Sequence, residues 1–190
     1  DQTEKFIKIF AKENQDWIGV INNAGLFNYD LGDNFDYKKL HDHLMVNFCV
    51  PSLLIKALYN KLKSSNNNTP ENIAINILDA KLFGLNPDYY TYTLSKQSMH
   101  GLTKMAALSY APILRVNGIA PGITLPASGQ NNNDFKKAYK NNLLKRSSSI
   151  KELEQALSFL VNSPSVTGHV LLLDGGAHLS PPRRDVSLEV

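Results

Sequence analysis

The chain has 190 residues, 43% of them hydrophobic, enough to fill one sizeable core, so a single domain spanning 1–190 is the natural reading. Its net charge of +3 comes from 20 basic and 17 acidic residues scattered without a basic patch, and no apolar run is as long as a membrane span, so neither nucleic acid nor a bilayer is an expected partner. The single cysteine, Cys49, has no partner for an internal disulfide, which fits a reducing, cytoplasmic setting.

Phe6, Ile7, Ile9, Phe10 and Ala11 predict an amphipathic helix over 2–12. Residues 17–21 form a short apolar run ending in Asn22-Asn23-Ala24-Gly25, the pattern of a buried strand that breaks into a turn. A helix is predicted over 37–63, a polar loop over 64–70, and a second strand over 73–78, apolar nearly throughout as expected where both faces are covered. A long helix over 89–110 and a third strand over 115–120 follow. Residues 121–149 read as irregular with one short helix. A helix over 150–162 and a last strand over 169–173 then lead to Asp174-Gly175-Gly176. Short apolar runs alternating with helical patterns predict an α/β fold, a Rossmann-type doubly wound parallel sheet in three layers.

In such a sheet ligands bind beyond the carboxyl ends of the strands. That directs attention to 22–25, Asp79 and Pro121-Gly122, where glycine and proline suit a backbone that must approach a ligand closely. A carboxylate at the end of a buried strand needs partners or a raised pKa, so Asp79 reads either as a site carboxylate or as the cap of the next segment. Tyr92 and Lys96 stand four residues apart, hence on one helical face. A free phenol titrates near ~10, and a neighbouring ammonium favours the phenolate, making Tyr92 a better general acid. The bland alternative is a ring packed under a lysine stem at the surface. Pro51 has no N–H for the carbonyl of Asn47, which leaves that oxygen free to hold a water; a plain proline kink explains the same pattern. His41 and His43, two apart on a helix, face different ways, so no metal site is expected.

Together these pieces resemble the short-chain dehydrogenase/reductase family along nearly all of the chain. Asn22-Asn23-Ala24-Gly25 matches its NNAG turn, Asn47 its helix asparagine, Tyr92 and Lys96 its YxxxK pair, and Pro121-Gly122 its post-strand PG. Thr167-Gly168 and Asp174-Gly175-Gly176 match the closing TG…DGG segment. Asp79 stands where most members carry serine and is similar to the pteridine reductases and dihydromonapterin reductases. A carboxyl accepts hydrogen bonds from an aminopyrimidine edge, which a hydroxyl does poorly. Residues 24–27, 111–118, 122–126 and 175–179 resemble the same subgroup. Phe27 falls where a pteridine reductase stacks a phenylalanine on the pterin; by its own chemistry it is either a flat apolar platform or a core residue. Gly25 departs from members with serine there, which removes a polar contact to the ring.

The family opens with a strand, a TGxxxGxG turn and a helix that this sequence lacks, so two further βαβ units are expected ahead of Asp1, including the residues that separate NADP from NAD. The resemblance implies an NAD(P)H-dependent enzyme, NADP(H) first and NAD(H) second, that reduces a C=N bond of a pterin-like substrate lying between the nicotinamide and Phe27. Tyr92 is then the proton donor, Lys96 lowers its pKa and holds the nicotinamide ribose, Asp79 orients the substrate, and Asn47 anchors a water relay. The expected cofactor contacts are Asn22, Ala24, Gly25, Tyr92, Lys96, Pro121, Gly122 and Ile123; the expected substrate contacts are Phe27, Asp79 and Tyr92. A homotetramer is implied, with helices 37–63 and 89–110 packing across a two-fold axis and the tail Pro181-Pro182-Arg183-Arg184 reaching a neighbouring subunit. Two readings stay open beside this one. A carbonyl or 3-oxoacyl reductase is disfavoured by the Asp79 charge, and a non-catalytic binding or scaffold subunit by the intact Tyr92–Lys96 pair.

Overall fold

The structure, a computed structural model, describes residues 2–14, 16–126, 132–186 and 188. Four parallel strands, β1 (Gly19–Asn22), β2 (Ile73–Ile77), β3 (Arg115–Pro121) and β4 (Val170–Leu173), lie side by side in chain order. Gly19 pairs with Ile73, Ile73 with Arg115, and Gly118 with Val170, so every strand points its carboxyl end the same way. The helices are α1 (Gln2–Glu13), α2 (Tyr37–Leu44), α3 (Val50–Ser64), α4 (Tyr90–Tyr110), α5 (Asn132–Lys140) and α6 (Ile150–Val161). They make the α/β layering that the alternating pattern predicts.

The alternation of side chains along β2 divides the core between two faces. Ala74 faces α3 and α4, where Ile55, Leu58, Leu62, Ala106, Ala107 and Val116 form one cluster. Ile73 and Ile75 face the other way, onto Ala156 and Leu160 of α6 and Ile119 of β3. Both faces of β2 and β3 are buried, which is why β2 is apolar but for Asn76 and why the polar Arg115 and Asn117 of β3 are buried with hydrogen-bond partners. Each fully buried leucine here stabilises the fold by about 1.5–3 kcal/mol before entropy is counted.

The first strand starts two residues later than its apolar run. Trp17 leaves the sheet because its indole N–H bonds the Gly19 carbonyl at 2.6 Å and its ring meets Phe10 of α1 edge-on. The segment read as one helix over 37–63 is two helices joined by a π turn, Met45–Cys49, in which the Val50 N–H reaches back five residues to the Met45 carbonyl. Pro51 follows as the second residue of α3, a position where a missing N–H costs little. The motif Arg115-Val116-Asn117 serves the fold: the Arg115 guanidinium donates to the carbonyls of Leu160 and Val161 at the end of α6, and to those of Pro70, Ser163 and Val166. Residues 127–131, part of the stretch read as irregular, lie outside the described residues; α5 supplies the short helix expected there. Among the described residues no helix is long and apolar enough to cross a membrane.

Candidate active site

A cavity of about 780 Å³ opens beyond the carboxyl ends of the strands. Part of its wall is Asn23, Gly25, Pro121, Gly122 and Ile123; another part is Phe27, Asp79, Lys81 and Tyr92. Lys96 also lines it, and residues of the C-terminal tail, among them Pro181, Pro182 and Asp185, complete it.

Tyr92 and Lys96 are not surface residues. They are 7% and 5% exposed, which sets aside the reading of a ring under a lysine stem. The Tyr92 hydroxyl donates to Asp79 Oδ2 at 2.7 Å, and Lys96 Nζ donates to the Ile77 carbonyl at 2.7 Å, 5.8 Å from the centre of the Tyr92 ring. Asp79 uses both oxygens: Oδ1 accepts from the Lys81 backbone N–H at 2.8 Å, capping the short 3₁₀ turn Ala80–Phe83, while Oδ2 accepts from the phenol. The start of α4 is fixed by a neighbouring loop, because buried Asp30 accepts from the Thr91 backbone N–H at 3.0 Å and from the Thr91 hydroxyl.

The electrostatics correct one expectation. Burial, then the charge and hydrogen bond of Asp79, push the Tyr92 phenol well above 10.0. The Lys96 ammonium gives one hydrogen bond to the Ile77 carbonyl rather than to the phenol, and its own pKa is lowered by burial against the pull of Asp79. Asp79 is itself raised by burial, which outweighs the Lys81 N–H, the phenol and the two lysine charges that lower it. The phenol stays protonated at neutral pH and directs its proton at Asp79.

Asn47 is fully buried and acts as a clamp. Its Nδ2 donates to the Leu26 carbonyl at 3.0 Å and to Ser95 Oγ at 2.9 Å, while Oδ1 accepts from the Leu26 N–H at 2.8 Å. The side chain therefore ties the turn after β1 to α4 one residue from Lys96. Asn22 also differs from expectation. Its side-chain amide donates into the sheet, to Asn76 Oδ1 at 2.8 Å, and Asn76 donates on to Thr103 at 2.9 Å. Among the described lining residues Asn22 and Ala24 are absent, and the turn reaches the cavity through Asn23 and Gly25, while Pro121, Gly122 and Ile123 line it as expected. Phe27 is no core residue: it is 49% exposed, stacked on Tyr89 at 4.1 Å between centroids and edge-on to Tyr92 at 4.7 Å. Among the described residues no cluster of His, Cys, Asp and Glu is placed to hold a metal.

Comparison with known proteins decides the family. A family model described as enoyl-(acyl carrier protein) reductase matches residues 1–178. The chain belongs to this short-chain dehydrogenase/reductase family. Within it, the chain is 32% identical over 145 residues to pteridine reductase 1 of Leishmania tarentolae, covering 70% of this chain and 48% of that protein. It is 33% identical over 91 residues to dihydromonapterin reductase of Escherichia coli O6:K15:H31, covering 48% of this chain and 38% of that one. The chain thus spans half or less of these relatives' lengths. In structure it is similar to FolM alternative dihydrofolate reductase 1 from Brucella canis, solved in complex with NADP, with a TM-score of 0.83 at 29% identity over 93% of this chain and 69% of that one.

Several features of this short-chain dehydrogenase/reductase escaped the sequence reading. The Lys81 ammonium bonds the Asp88 carbonyl and lies 5.4 Å from the centre of the Tyr89 ring; its spacing of two from Asp79 was the available signal. Buried His43 accepts from the Asn28 N–H at Nε2, 3.2 Å, which leaves Nδ1 as donor to Thr91 Oγ1 at 2.8 Å, and burial lowers its pKa. In the tail, Arg184 fastens within its own chain, to Asp88, at 2.6 and 2.8 Å.

Proposed function

We propose that the protein is an NADPH-dependent reductase of a pterin-like ring, with Tyr92 as the proton donor and Asp79 as the group that orients the substrate. The observation that carries this reading is the 2.7 Å hydrogen bond from Tyr92 to Asp79 inside a cavity that Lys96 also lines. The relatives named above support it, as pteridine, dihydromonapterin and dihydrofolate reductases by name, the last solved with NADP.

The residues present fit a dinucleotide. Gly25 leaves open the place where a Cβ would stand 3.4 Å from Asn47 Oδ1 and 3.9 Å from Lys96 Nζ, so backbone and ammonium are both accessible there. Asn23, Gly25, Lys96, Pro121, Gly122 and Ile123 would hold the cofactor, which supplies hydride when bound. Tyr92 Oη gives its proton to the ring nitrogen next to the carbon being reduced, and burial keeps that proton in place until the nitrogen becomes basic. Lys96 has three N–H donors and gives one to Ile77, leaving two for a ribose hydroxyl and the departing phenolate charge. Asp79 retains lone pairs on both oxygens for the N–H donors of an aminopyrimidine. Phe27 offers the substrate one ring face, the other being covered by Tyr89.

The reading extends to the assembly. Leu94, Met105 and Leu108 of α4 are 40%, 60% and 77% exposed and share a stripe with Ser98 and Gly101, where an added Cβ would meet nothing within 4 Å. This flat apolar stripe suits a second copy across a two-fold axis, as a homotetramer of one-domain subunits requires, in the cytoplasm where Cys49 stays reduced. Following NADPH oxidation with dihydrobiopterin and dihydromonapterin against simple ketones and a 3-oxoacyl thioester tests the activity. Turnover confined to the pterins is expected; turnover of ketones without pterins would overturn the reading.

A further inference from the structure

We infer that residues 180–186 form the substrate-side wall of the cavity in the same chain, and that a fork between Arg184 and Asp88 latches this wall and sets the affinity for substrate. The inference rests on the reductase reading and assigns its specificity wall.

The tail is led to the cavity by a sequence of fixed points. Asp174 accepts from the backbone N–H of Gly176 at 2.9 Å, and from His178 through backbone N–H and Nδ1, both at 2.8 Å, which holds the 3₁₀ turn Ala177–Leu179. Pro181 then crosses directly over Gly84, where an added Cβ would lie 2.8 Å from Pro181 Cβ and 3.4 Å from His178 Cα. Beyond it, Arg184 grips both oxygens of Asp88, with Nη2 2.6 Å from Oδ1 and Nε 2.8 Å from Oδ2. The Asp185 backbone N–H adds a bond to Oδ2 at 2.6 Å, and the Tyr29 hydroxyl donates to Oδ1 at 3.2 Å.

Asp88 is fully buried, and a buried carboxylate without its cation is strongly disfavoured, so the tail cannot leave without cost. The latch also reaches the residues that would meet the substrate. Asp88 precedes Tyr89, whose ring covers one face of Phe27. Lys81 bonds the Asp88 carbonyl, lies 3.9 Å from the Asp185 carboxylate, and gives its backbone N–H to Asp79. One ion pair thereby ties the tail to the aromatic platform and to the carboxylate beneath the phenol. Arg184 is a positioning residue, acting through Asp88 and Lys81.

Two variants test this without demanding that either survive alone. Asp88→Asn keeps the buried shape and leaves the tryptic sites after Arg183 and Arg184 untouched; Arg184→Gln changes a side chain that is half exposed. In limited proteolysis of the intact protein, Asp88→Asn should release the tail about tenfold faster, and dihydrobiopterin with NADPH should slow release from the wild type. In steady state, Arg184→Gln should raise the KM for dihydrobiopterin about tenfold, with a far smaller effect on kcat and on the KM for NADPH, and Arg184→Lys, which loses the fork but keeps the charge, should fall between. Unchanged pterin KM in both variants of an active enzyme would overturn the wall. A wild type inactive on every pterin but with latch-dependent proteolysis would instead sink the functional reading, while the latch itself would stand.

Discussion

Along one wall of the cavity Asp79, Lys81 and Tyr92 bring ionisable side chains together from two elements, whereas along another Gly25, Pro121 and Gly122 present backbone and little else. The difference is one of chemistry. A wall of titratable groups moves protons and selects a ligand by charge, and each member shifts the pKa of the next. A backbone wall has nothing to titrate and works by shape. Gly122 shows this, since an added Cβ would stand 2.9 Å from Asp174 Cα, and backbone cannot swing aside as a side chain can. Under the proposed function, proton chemistry and cofactor shape fall largely on separate sets of residues, with Lys96 shared between them, and damage to one need not carry to the other.

The sharpest way to break this division is Tyr92→Phe. It should lower kcat by about 10²–10⁴-fold while leaving the dissociation constant for NADPH nearly unchanged, read by single-turnover kinetics and fluorescence titration. A parallel loss of cofactor affinity would mean the walls are not separable. Asp79→Asn comes next, with an expected rate loss of about tenfold and a directional change in pH dependence. The carboxylate's charge and hydrogen bond hold the phenol up, so removing the charge moves the basic limb of the kcat profile to lower pH. The move is partial, because burial, the larger cause, remains. On the backbone wall, Gly122→Ala should weaken NADPH binding about tenfold and cost about 1–3 kcal/mol of stability, with kcat at saturation largely kept.

How much of each wall could be read from the chain follows from the same contrast. The backbone wall lies in contiguous motifs at strand ends, so 22–25 and 121–123 announced themselves, although the Asn22 side chain bonds Asn76 within the sheet and the turn lines the cavity through Asn23 and Gly25. The Tyr92–Lys96 spacing was legible because both sit on one helix, and Asp79 because it ends a buried strand. The raised phenol was not legible. It depends first on burial and then on the charge and hydrogen bond of Asp79, and only the packed fold sets how deeply the ring is buried and brings that carboxyl to it. Arg184 and Asp88 are 96 residues apart, and His43 and Thr91 are 48 apart; only the packed fold brings such pairs together. The four strands and most helix limits were legible because both faces of the sheet demand apolar runs. The π turn was not, since the apolar pattern passes through it unbroken.

Two smaller effects sharpen the comparison further. Asn47→Ala removes three hydrogen bonds between the turn and α4 and should cost about 1–3 kcal/mol in thermal or urea unfolding, with a rise in NADPH KM as Gly25 loosens. The Arg184 fork, with the Asp185 N–H and Tyr29, holds the Asp88 carboxyl at about 2, against an ordinary value of 3.8. A carboxyl depressed in the folded state stabilises it above its unfolded value, and that stabilisation is lost as pH falls through the folded one. Melting temperature should therefore drop between pH 3.8 and about 2, and Arg184→Gln, which removes the largest cause, should shrink that step.

The wide turn at Met45–Cys49 carries one more lesson, about deletions. A π turn accommodates one residue more than the same stretch of regular helix, and each helical residue rotates the chain by roughly 100°. Removing a single amino acid between α2 and α3 would leave a longer and more regular rod, comfortable by every local criterion. The flanking helices would keep their faces, so His43 would still meet Thr91, and the shift would fall on the residues inside the turn, Asn47 and its hold on Leu26 among them. The irregularity is what lets one continuous rod address two neighbours at once.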